Sequence, residues 1–449
     1  MSDVLSAIEE RLEQPTAKGL ATAVSRTIHD GDLAPGAKLP PIREVARQLA
    51  LSPTTVSAGW ALLARAGTIR TEGRRGTTVI DSSRAGAGRY RRVLEHQAPL
   101  SLDLSTGVPD ATLLPGLTRA LAAVRTAGTP GSYLDEPVLP ELHRVLLDEW
   151  PTREARLTVV DGAMEALDLV SRTCLRLGDR VVVEHPCFPP LLDLLEAVGV
   201  EVVGVPLDEG GPEPTAFAAA LAASPRAVYL QPRAQNPTGV TMTRARAREL
   251  AGLVEGTDTL VVEDDSADAT STSAPLSLGA WLPDQTVHVR SFSKSHGPDL
   301  RLAAMSGPPE VMGAVIARRQ LGQGWSSRLL QRILLSLLTD ERSVAEVAAA
   351  RDEYARRRQA VVNALATRGV AVGGSEGLNI WVPVHDEAAA LVRLASQGIG
   401  VSPGAPFAVL PEEQGHVRVT VGLVRDGHDE LAEAIATAAR TQAWGVRAR

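Results

Sequence analysis

The chain has 449 residues, 44% of them hydrophobic, and a formal net charge of −7. This length predicts about two or three domains, because one ordinary core does not grow so large. No membrane span is expected, since there is no apolar run of about 18 residues, and the N-terminus does not resemble a secretory signal. Cys174 and Cys187 form no metal-binding pattern, and a reduced cytoplasm is the simple inference.

The charge is unevenly distributed along the chain. Residues 1–92 carry 14 Lys+Arg and 9 Asp+Glu, a balance of +5, whereas the remainder carries 32 against 44, a balance of −12. A basic N-terminal segment on an acidic body favours contact of that segment with a polyanion, although many basic segments are only solvated surface.

The segment 18–79 predicts three helices followed by a short ribbon. Leu20, Val24 and Ile28 recur at helical spacing and give the first helix one apolar face. The Gly- and Pro-containing loop at residues 31–36 ends that helix.

The second and third helices are predicted to form a two-helix unit with a sharp turn between them. The second is expected from about Ile42 to Ala50, and Ser52 is predicted to cap the third, with Pro53 at its first helical position. The segments 69–71 and 77–80 are expected to pair as a two-stranded ribbon.

A two-helix unit with a sharp turn, whose second helix begins with short polar residues, suits insertion into the major groove of DNA. The expected DNA contacts are a phosphate ligand on the preceding helix, the leading end of the third helix, and the tip of the ribbon. They are Arg43, Ser52, Thr54, Thr55, Ser57, Arg74 and Arg75. The alternative is a small helical oligomerisation domain.

Residues 81–100 predict a short linker, and from about 101 the pattern alternates between strands and helices. Six apolar or β-branched runs predict the strands of a largely parallel sheet in an α/β domain. They are Leu157–Val160, Arg180–Glu184, Glu201–Val205, Ala227–Gln231, Leu260–Glu263 and Thr286–Ser291. Segment 370–440, with short runs at 378–384, 398–401 and 417–422, predicts a smaller α+β lobe.

Lysine is rare in this chain, and Lys294 is the only one after residue 39. Arginine stays protonated at working pH, whereas a desolvated lysine can lose its proton and form an imine with an aldehyde cofactor. The alternative is a lysine left by chance in an arginine-rich composition.

The neighbouring motifs suit pyridoxal phosphate. Asp264 ends an apolar strand and suits a protonated pyridine nitrogen, with a helix cap or a metal ligand as alternatives. Asn236 follows another strand and suits a phenolic oxygen, and Phe188 is either a ring for stacking or a core aromatic. Arg301 and Ser291 suit a phosphate.

Between a strand and a helix, the turn Gly162-Ala163-Met164 predicts an anion site made of backbone amides and the helix dipole. Near the C-terminus, Arg418 suits a carboxylate, because its guanidinium donates in a bidentate fork; the alternative is a surface arginine on an edge strand.

The N-terminal motifs resemble the winged helix-turn-helix of the GntR family. The Leu-Pro-x-x-Arg element is Leu39 to Arg43, and the Ser-x-x-Thr-Val start of the recognition helix is Ser52 to Val56. The glycine-punctuated endings follow at residues 67–69 and 73–77. Pro53 stands where the family usually has arginine.

From about residue 101 the chain resembles the fold-type I aminotransferases, because the Asn-Pro-x-Gly, Asp and Ser-x-Ser-Lys motifs occur in the expected order. The resemblance implies that Lys294 forms the Schiff base of the internal aldimine, Asp264 pairs with the pyridine, Asn236 donates to O3′ and Arg418 clamps an effector carboxylate. It also implies the remaining cofactor-binding residues: Phe188, Gly162, Ala163, Ser291, Arg301 and, from a partner subunit, Tyr133.

A GntR-type head on such a body resembles the MocR/GabR family of regulators. The implied architecture is a winged helix-turn-helix at residues 10–80, a linker at 81–100 and, at 101–449, a fold-type I domain with a large mostly parallel sheet and a small α+β lobe. Ser266 stands where the family has a tyrosine, and Ala163 and Met164 replace the usual polar side chains of the phosphate loop.

The function expected from this resemblance is that of a cytoplasmic transcriptional regulator. It binds double-stranded DNA, uses pyridoxal 5′-phosphate, and senses a small amine or amino acid. It forms a head-to-tail homodimer in which each head packs on the other chain's body. The alternatives are an active aminotransferase with an appended DNA-binding head, a sensor of pyridoxal phosphate itself, and an architectural DNA binder with an inactive body.

Overall fold

A computed structural model describes residues 2–12, 14–29, 32–34, 36–65, 68–71, 76–80, 100–125, 136–152, 156–411 and 414–441. These residues form three parts: a helical head (residues 2–80), a large domain (104–366) and a small lobe (367–441, joined by the segment 100–103). The predicted linker lies outside the described residues apart from its last position. No helix in the described ranges is long and apolar enough to span a membrane.

Within the described residues the head has four helices and a three-stranded sheet, of which the sequence predicted three helices and two strands. The helices are α1 (Ser2–Arg11), α2 (Ala17–His29), α3 (Ile42–Gln48) and α4 (Pro53–Arg65). The strands are β1 (Lys38–Leu39), β2 (Ile69–Thr71) and β3 (Thr77–Val79), with β3 antiparallel to both others. Leu20 and Val24 of α2 and Trp60 of α4 are buried in the head core, and Gly59 lets α4 approach the start of α2.

The large domain is built on an eight-stranded sheet in the order β5-β12-β11-β10-β9-β6-β7-β8. Its strands are β5 (Arg156–Val160), β6 (Arg180–His185), β7 (Glu201–Asp208), β8 (Gly211–Pro212), β9 (Ala227–Leu230), β10 (Leu260–Asp265), β11 (Thr286–Ser291) and β12 (Ala303–Gly307). The five strands from β11 to β7 run parallel, whereas β12 is antiparallel to β11 and β5. The predicted α/β fold with a largely parallel sheet is confirmed.

Helices cover both faces of this sheet, and consecutive strand residues such as Val181, Val182 and Val183 are all buried. The helices are α5 (Thr118–Arg125), α6 (Pro140–Asp148), α7 (Ala163–Cys174), α8 (Pro189–Val198), α9 (Pro214–Leu221), α10 (Arg244–Val254), α11 (Pro309–Gln320), α12 (Arg328–Thr339) and α13 (Glu341–Ala366). Helix α13, with 26 residues, connects the large domain to the small lobe. The carboxyl ends of β6, β9, β10 and β11 lie side by side, and the site forms at this edge.

The small lobe contains a three-stranded antiparallel sheet in the order β13-β16-β15, covered by two helices. Its elements are β13 (Ile380–Val384), α14 (Glu387–Ser396), β14 (Ile399–Gly400), β15 (Ser402–Pro403), β16 (Gly415–Val419) and α15 (His428–Ala439). Strand β14 pairs in parallel with β4 (Leu102–Asp103), which ties the entering chain to this lobe.

The head packs on the small lobe of the same polypeptide. Helices α2 and α4 contact α14, and apolar side chains of the head and the lobe form one continuous cluster. At its edge Arg26 Nε lies 3.7 Å from an oxygen of Asp386, which caps α14. The expected packing of each head on the body of a second chain, and the homodimer itself, stay predictions, because the structure contains one chain.

Candidate cofactor pocket and DNA-reading surface

Lys294 lies in a turn three residues after β11 and points at the next strand end. Its Nζ is 3.3 Å from the Ser266 hydroxyl, just beyond β10. Burial lowers the pKa of the amine, Arg418 lowers it further, and the Asp264 carboxylate opposes this. A larger fraction of this amine is therefore neutral and nucleophilic than of an exposed lysine.

Asp264, at the carboxyl end of β10, is 6% exposed. One carboxylate oxygen, Oδ2, accepts a 2.7 Å hydrogen bond from Gln231 Nε2. The other, Oδ1, is buried and has no hydrogen-bond partner among the described residues. Burial raises the pKa of this carboxyl, and Gln231 and Lys294 oppose the rise. A buried acceptor without a donor fits the N–H of a protonated pyridine ring.

Asn236 follows β9, and its side-chain oxygen is already occupied. Oδ1 accepts from Arg418 Nη1 at 3.3 Å and from Asn379 Nδ2 at 3.4 Å. The amide is therefore oriented, because both partners donate, and Nδ2 remains the group that can donate to a cofactor oxygen.

Arg418, in β16, is 1% exposed and lies where the small lobe meets the large domain. Besides Asn236, it donates to the Ser105 carbonyl and lies over the Phe407 ring at 5.3 Å. Gly107 has a φ of +70°, and a Cβ there would lie 3.3 Å from Arg418 Nη1. The small residue leaves room beside the guanidinium, which a carboxylate ligand needs.

Gly162 and Arg301 come together at the start of α7. Gly162 is the N-cap residue with a φ of +97°, and a Cβ there would lie 3.0 Å from Arg301 Nη2. The same Nη2 donates to the Asp161 carbonyl at 3.3 Å. Ala163 opens the helix behind Gly162, so free helix amides and a guanidinium lie at one place, as an anion site requires.

The remaining predicted pocket residues, Ser291, Phe188 and Tyr133, have fewer described contacts with the residues around Lys294. Ser291 is the buried last residue of β11, and its Oγ accepts from the Ser293 amide at 3.4 Å. Phe188 is the partly buried N-cap residue of α8, packed beside the core cluster that contains β6. Tyr133 lies outside the described residues.

The polar end of α4 is open to solvent in the head. Ser52 Oγ accepts from the Thr55 amide at 3.0 Å, so the predicted cap is confirmed. The Thr54 and Thr55 hydroxyls are each 2.7 Å from Ser52 Oγ. Ser57 on α4 and Arg43 in the first turn of α3 are also exposed. Arg74 and Arg75 lie outside the described residues.

The sequence reasoning missed four pocket residues: Gln231, Asn379, Ser105 and Gly107. Gln231 follows β9 directly, so its position at the ligand-binding edge was a usable signal. The other three reach the pocket from distant parts of the chain and carried no local signal. Within the described ranges no cluster of three or more His, Cys, Asp or Glu side chains is arranged to hold a metal ion.

Comparisons with known proteins identify the families of the head and the body. The family model for aminotransferase class I and II matches residues 101–435, and that for bacterial regulatory proteins of the gntR family matches residues 16–79. The chain is 34% identical over 427 residues to the vitamin B6 salvage pathway transcriptional repressor PtsJ of Salmonella typhimurium, covering 92% of this chain and 96% of that protein.

Two further similarities bear on the body. The HTH-type pyridoxine biosynthesis transcriptional regulator PdxR of Corynebacterium glutamicum is 28% identical over 77% of this chain and 78% of that protein. The solved structure of Pyrococcus horikoshii kynurenine aminotransferase has a TM-score of 0.69 at 23% identity, covering 79% of this chain and 96% of that chain, and this shows a shared fold. The predicted order of a GntR-type head followed by an aminotransferase-like body is confirmed.

Proposed function

The chain belongs to the MocR-type transcriptional regulators, and from this premise we propose that it controls transcription by sensing a small amine or amino acid, or pyridoxal phosphate itself, at the pocket around Lys294. The aminotransferase class I and II body implies use of pyridoxal phosphate, and the GntR-type head implies DNA binding. A regulator of this kind works where the chromosome is, so we expect the protein in the cytoplasm.

One observation supports the cofactor assignment most directly. A buried carboxylate oxygen of Asp264, which has no donor among the described residues, lies at the same sheet edge as an amine whose pKa is lowered by burial. Pyridoxal phosphate, when bound, supplies an aldehyde that condenses with amines and a ring that withdraws electrons from them.

Each pocket residue has a task that its geometry suits. Lys294 offers an amine whose pKa is lowered by burial, Asp264 would hold a proton at the pyridine nitrogen, and Asn236 Nδ2 would donate to the ring oxygen. Gly162 and Arg301 would bind the phosphate at the start of α7. These contacts would orient the ring.

Arg418 is proposed to bind the carboxylate of an amino-acid effector. Among its partners are a neutral amide oxygen and a carbonyl, and a carboxylate is a stronger acceptor for a guanidinium than either. Because Arg418 belongs to the small lobe and the head packs on that lobe, a shift of the lobe on effector binding would carry the head with it. A differential affinity of a few kcal/mol between the two arrangements is enough for regulation.

A second candidate is a sensor of pyridoxal phosphate itself. The printed names of two relatives, a vitamin B6 salvage repressor and a pyridoxine biosynthesis regulator, favour it. In this case the empty and cofactor-loaded forms bind the operator differently with no amine present.

Catalytic turnover is disfavoured by one substitution. Ser266 places a hydroxyl 3.3 Å from Lys294 Nζ at the position where the resembling family has a tyrosine, and a serine hydroxyl does not ionise as a phenol does. A protein that binds the cofactor without efficient proton handling suits sensing better than catalysis.

The test is a titration of the purified protein with pyridoxal phosphate and then with candidate amines and amino acids, following visible absorbance and operator binding together. An amine that changes both signals supports amine sensing, and a change of operator binding on cofactor addition alone supports the second candidate. Steady turnover of amino donors and 2-oxo acids with no effect on DNA binding would contradict both and favour an aminotransferase.

A further inference from the structure

Gln231 connects the two side chains that are proposed to hold the cofactor ring. It lies directly after β9, is 8% exposed, and follows the strand between β10 and β6. Its Nε2 donates to Asp264 Oδ2 at 2.7 Å, and its Oε1 accepts from the Asn236 backbone amide at 2.8 Å. One side chain therefore bridges the proposed pyridine partner and the residue that bears the proposed O3′ donor.

The orientation of this amide is determined by its partners. An ionised carboxylate only accepts and a backbone N–H only donates, so the reversed amide would lose both hydrogen bonds. Gln231 can therefore occupy one orientation only, and it fixes the separation of the two groups that it joins.

The backbone of Gln231 is held as well. Its N–H donates to Glu184 Oε2 at 3.1 Å, at the end of the neighbouring strand β6. Burial raises the pKa of Glu184 to about 8, and hydrogen bonds from Gln231 and Gln235 oppose the rise. Both ends of the side chain and the main chain are thus attached, which leaves little freedom at this position.

We propose that Gln231 is a positioning residue for the cofactor: it orients Asp264 towards the pyridine nitrogen and aligns Asn236 with the ring oxygen. This inference depends on the proposed function, since it assumes pyridoxal phosphate in the pocket. The hydrogen bond to Asp264 also favours the ionised carboxylate against the cost of its burial, and this charge is what the protonated ring needs.

The experiment compares Gln231→Met with Gln331→Met in the full-length protein. Gln331 is a fully buried glutamine of α12 that bridges backbone groups in the same way: it donates to the Pro137 and Ser326 carbonyls and accepts from the Leu139 amide. Both variants lose a buried bridging amide of the same size, but only the first contacts the proposed ring partners.

We expect Gln231→Met to bind pyridoxal phosphate about 10- to 100-fold more weakly, the loss that corresponds to one hydrogen bond to a charged group. The loss should grow as the pH is lowered below neutrality, because without the amide the Asp264 carboxylate protonates at a higher pH. The visible absorption maximum of the bound cofactor should also shift. Gln331→Met should keep the wild-type cofactor affinity and spectrum.

A double-mutant cycle separates positioning from general loosening. In an Asp264→Asn background the carboxylate is gone, so adding Gln231→Met should cost clearly less affinity than it does in the wild type, because only the alignment of Asn236 remains to be lost. Additive losses, or wild-type affinity and spectrum in Gln231→Met, would overturn the inference. If Gln231→Met fails to fold, Gln231→Leu serves in the same cycle. A wild-type protein that binds no pyridoxal phosphate would instead refute the proposed function.

Discussion

The head and the body bury different kinds of side chain. Among the described residues of the head, the buried polar side chains are Ser25, Thr27 and Thr77, and none is charged. The body buries complete ion pairs, among them Asp110 with Arg357 and Asp265 with Arg233.

The cores of the head and the body are therefore stabilised by different interactions. An apolar core is non-directional and tolerates variation in detail, whereas a buried ion pair is costly unless its geometry and hydrogen bonds are satisfied. The body places one such pair, Asp265 with Arg233, at the end of β10 next to Asp264, where charges must stand at fixed places. The head needs only to hold a helix end towards solvent.

The largest expected contrast comes from Lys294→Ala. Because no amine remains to hold the aldehyde, covalent retention of pyridoxal phosphate and its visible absorption should be lost completely. The affinity of the head for its operator should stay within about threefold of that of the cofactor-free wild type. Arg43→Ala is the reciprocal control, expected to keep the cofactor and weaken DNA binding with a smaller salt dependence. Covalent cofactor in Lys294→Ala, shown by mass after dialysis, would refute the assignment.

Asp110→Asn should cost the body about 2 kcal/mol of unfolding free energy, since it removes a buried carboxylate that accepts from Arg357 and Arg425, while Glu353 still pairs with Arg357. Denaturant unfolding of the apo protein measures this loss. Asp168→Asn, which removes a surface pair with Arg172, is the control and should cost under about 0.5 kcal/mol. Equal losses in the two variants would show that burial of the pair does not matter.

At low pH we expect the body to lose stability before the head. Burial opposes ionisation of Asp110, but hydrogen bonds from Arg357 and Arg425 outweigh it and hold the pKa of this carboxyl well below its usual range. Asp268, beside Arg290, also has a lowered pKa despite its burial. Groups with a depressed folded-state pKa stabilise above the unfolded pKa of about 3.9, and this stability is lost as the pH falls below it.

We therefore expect the body to lose protection before the head core during acidification, measured peptide by peptide by hydrogen exchange corrected for intrinsic rates. Simultaneous loss in α2 and β10 would contradict the proposed difference in their interiors.

The smallest expected effect is that of Ser52→Ala, which removes the cap of α4 and should cost about 1 kcal/mol of local stability. Exchange protection in α4 should fall while the cofactor pocket is unchanged. Ser57→Ala, exposed further along the same helix, is the matched control and should leave that protection intact.

Most helices and strands could be predicted from the sequence because their residues favour that secondary structure on their own. The strand Thr286–Ser291 was predicted with its observed bounds, since three of its six residues are β-branched. The strand Ala303–Gly307 was missed because AAMSG has no such residue, and it forms through its two neighbours. The two-residue strand Lys38–Leu39 is likewise a product of pairing with β3.

In the site, single motifs were predictable and their connections were not. Asp264 and Asn236 stand in recognisable patterns, but the amide of Gln231 between them depends on β9 and β10 being neighbours in the sheet. Ser105 reaches Arg418 across 313 residues, a contact that no local pattern records.

The shared core between α2, α4 and α14 also limits how such regulators can be recombined. A foreign DNA-binding module grafted onto this body would have to match the apolar surface of α14, and a poor match would leave that surface in water and promote self-association. Chimeras with new operator specificity should therefore transplant the exposed end of α4 alone and retain the inner faces of α2 and α4.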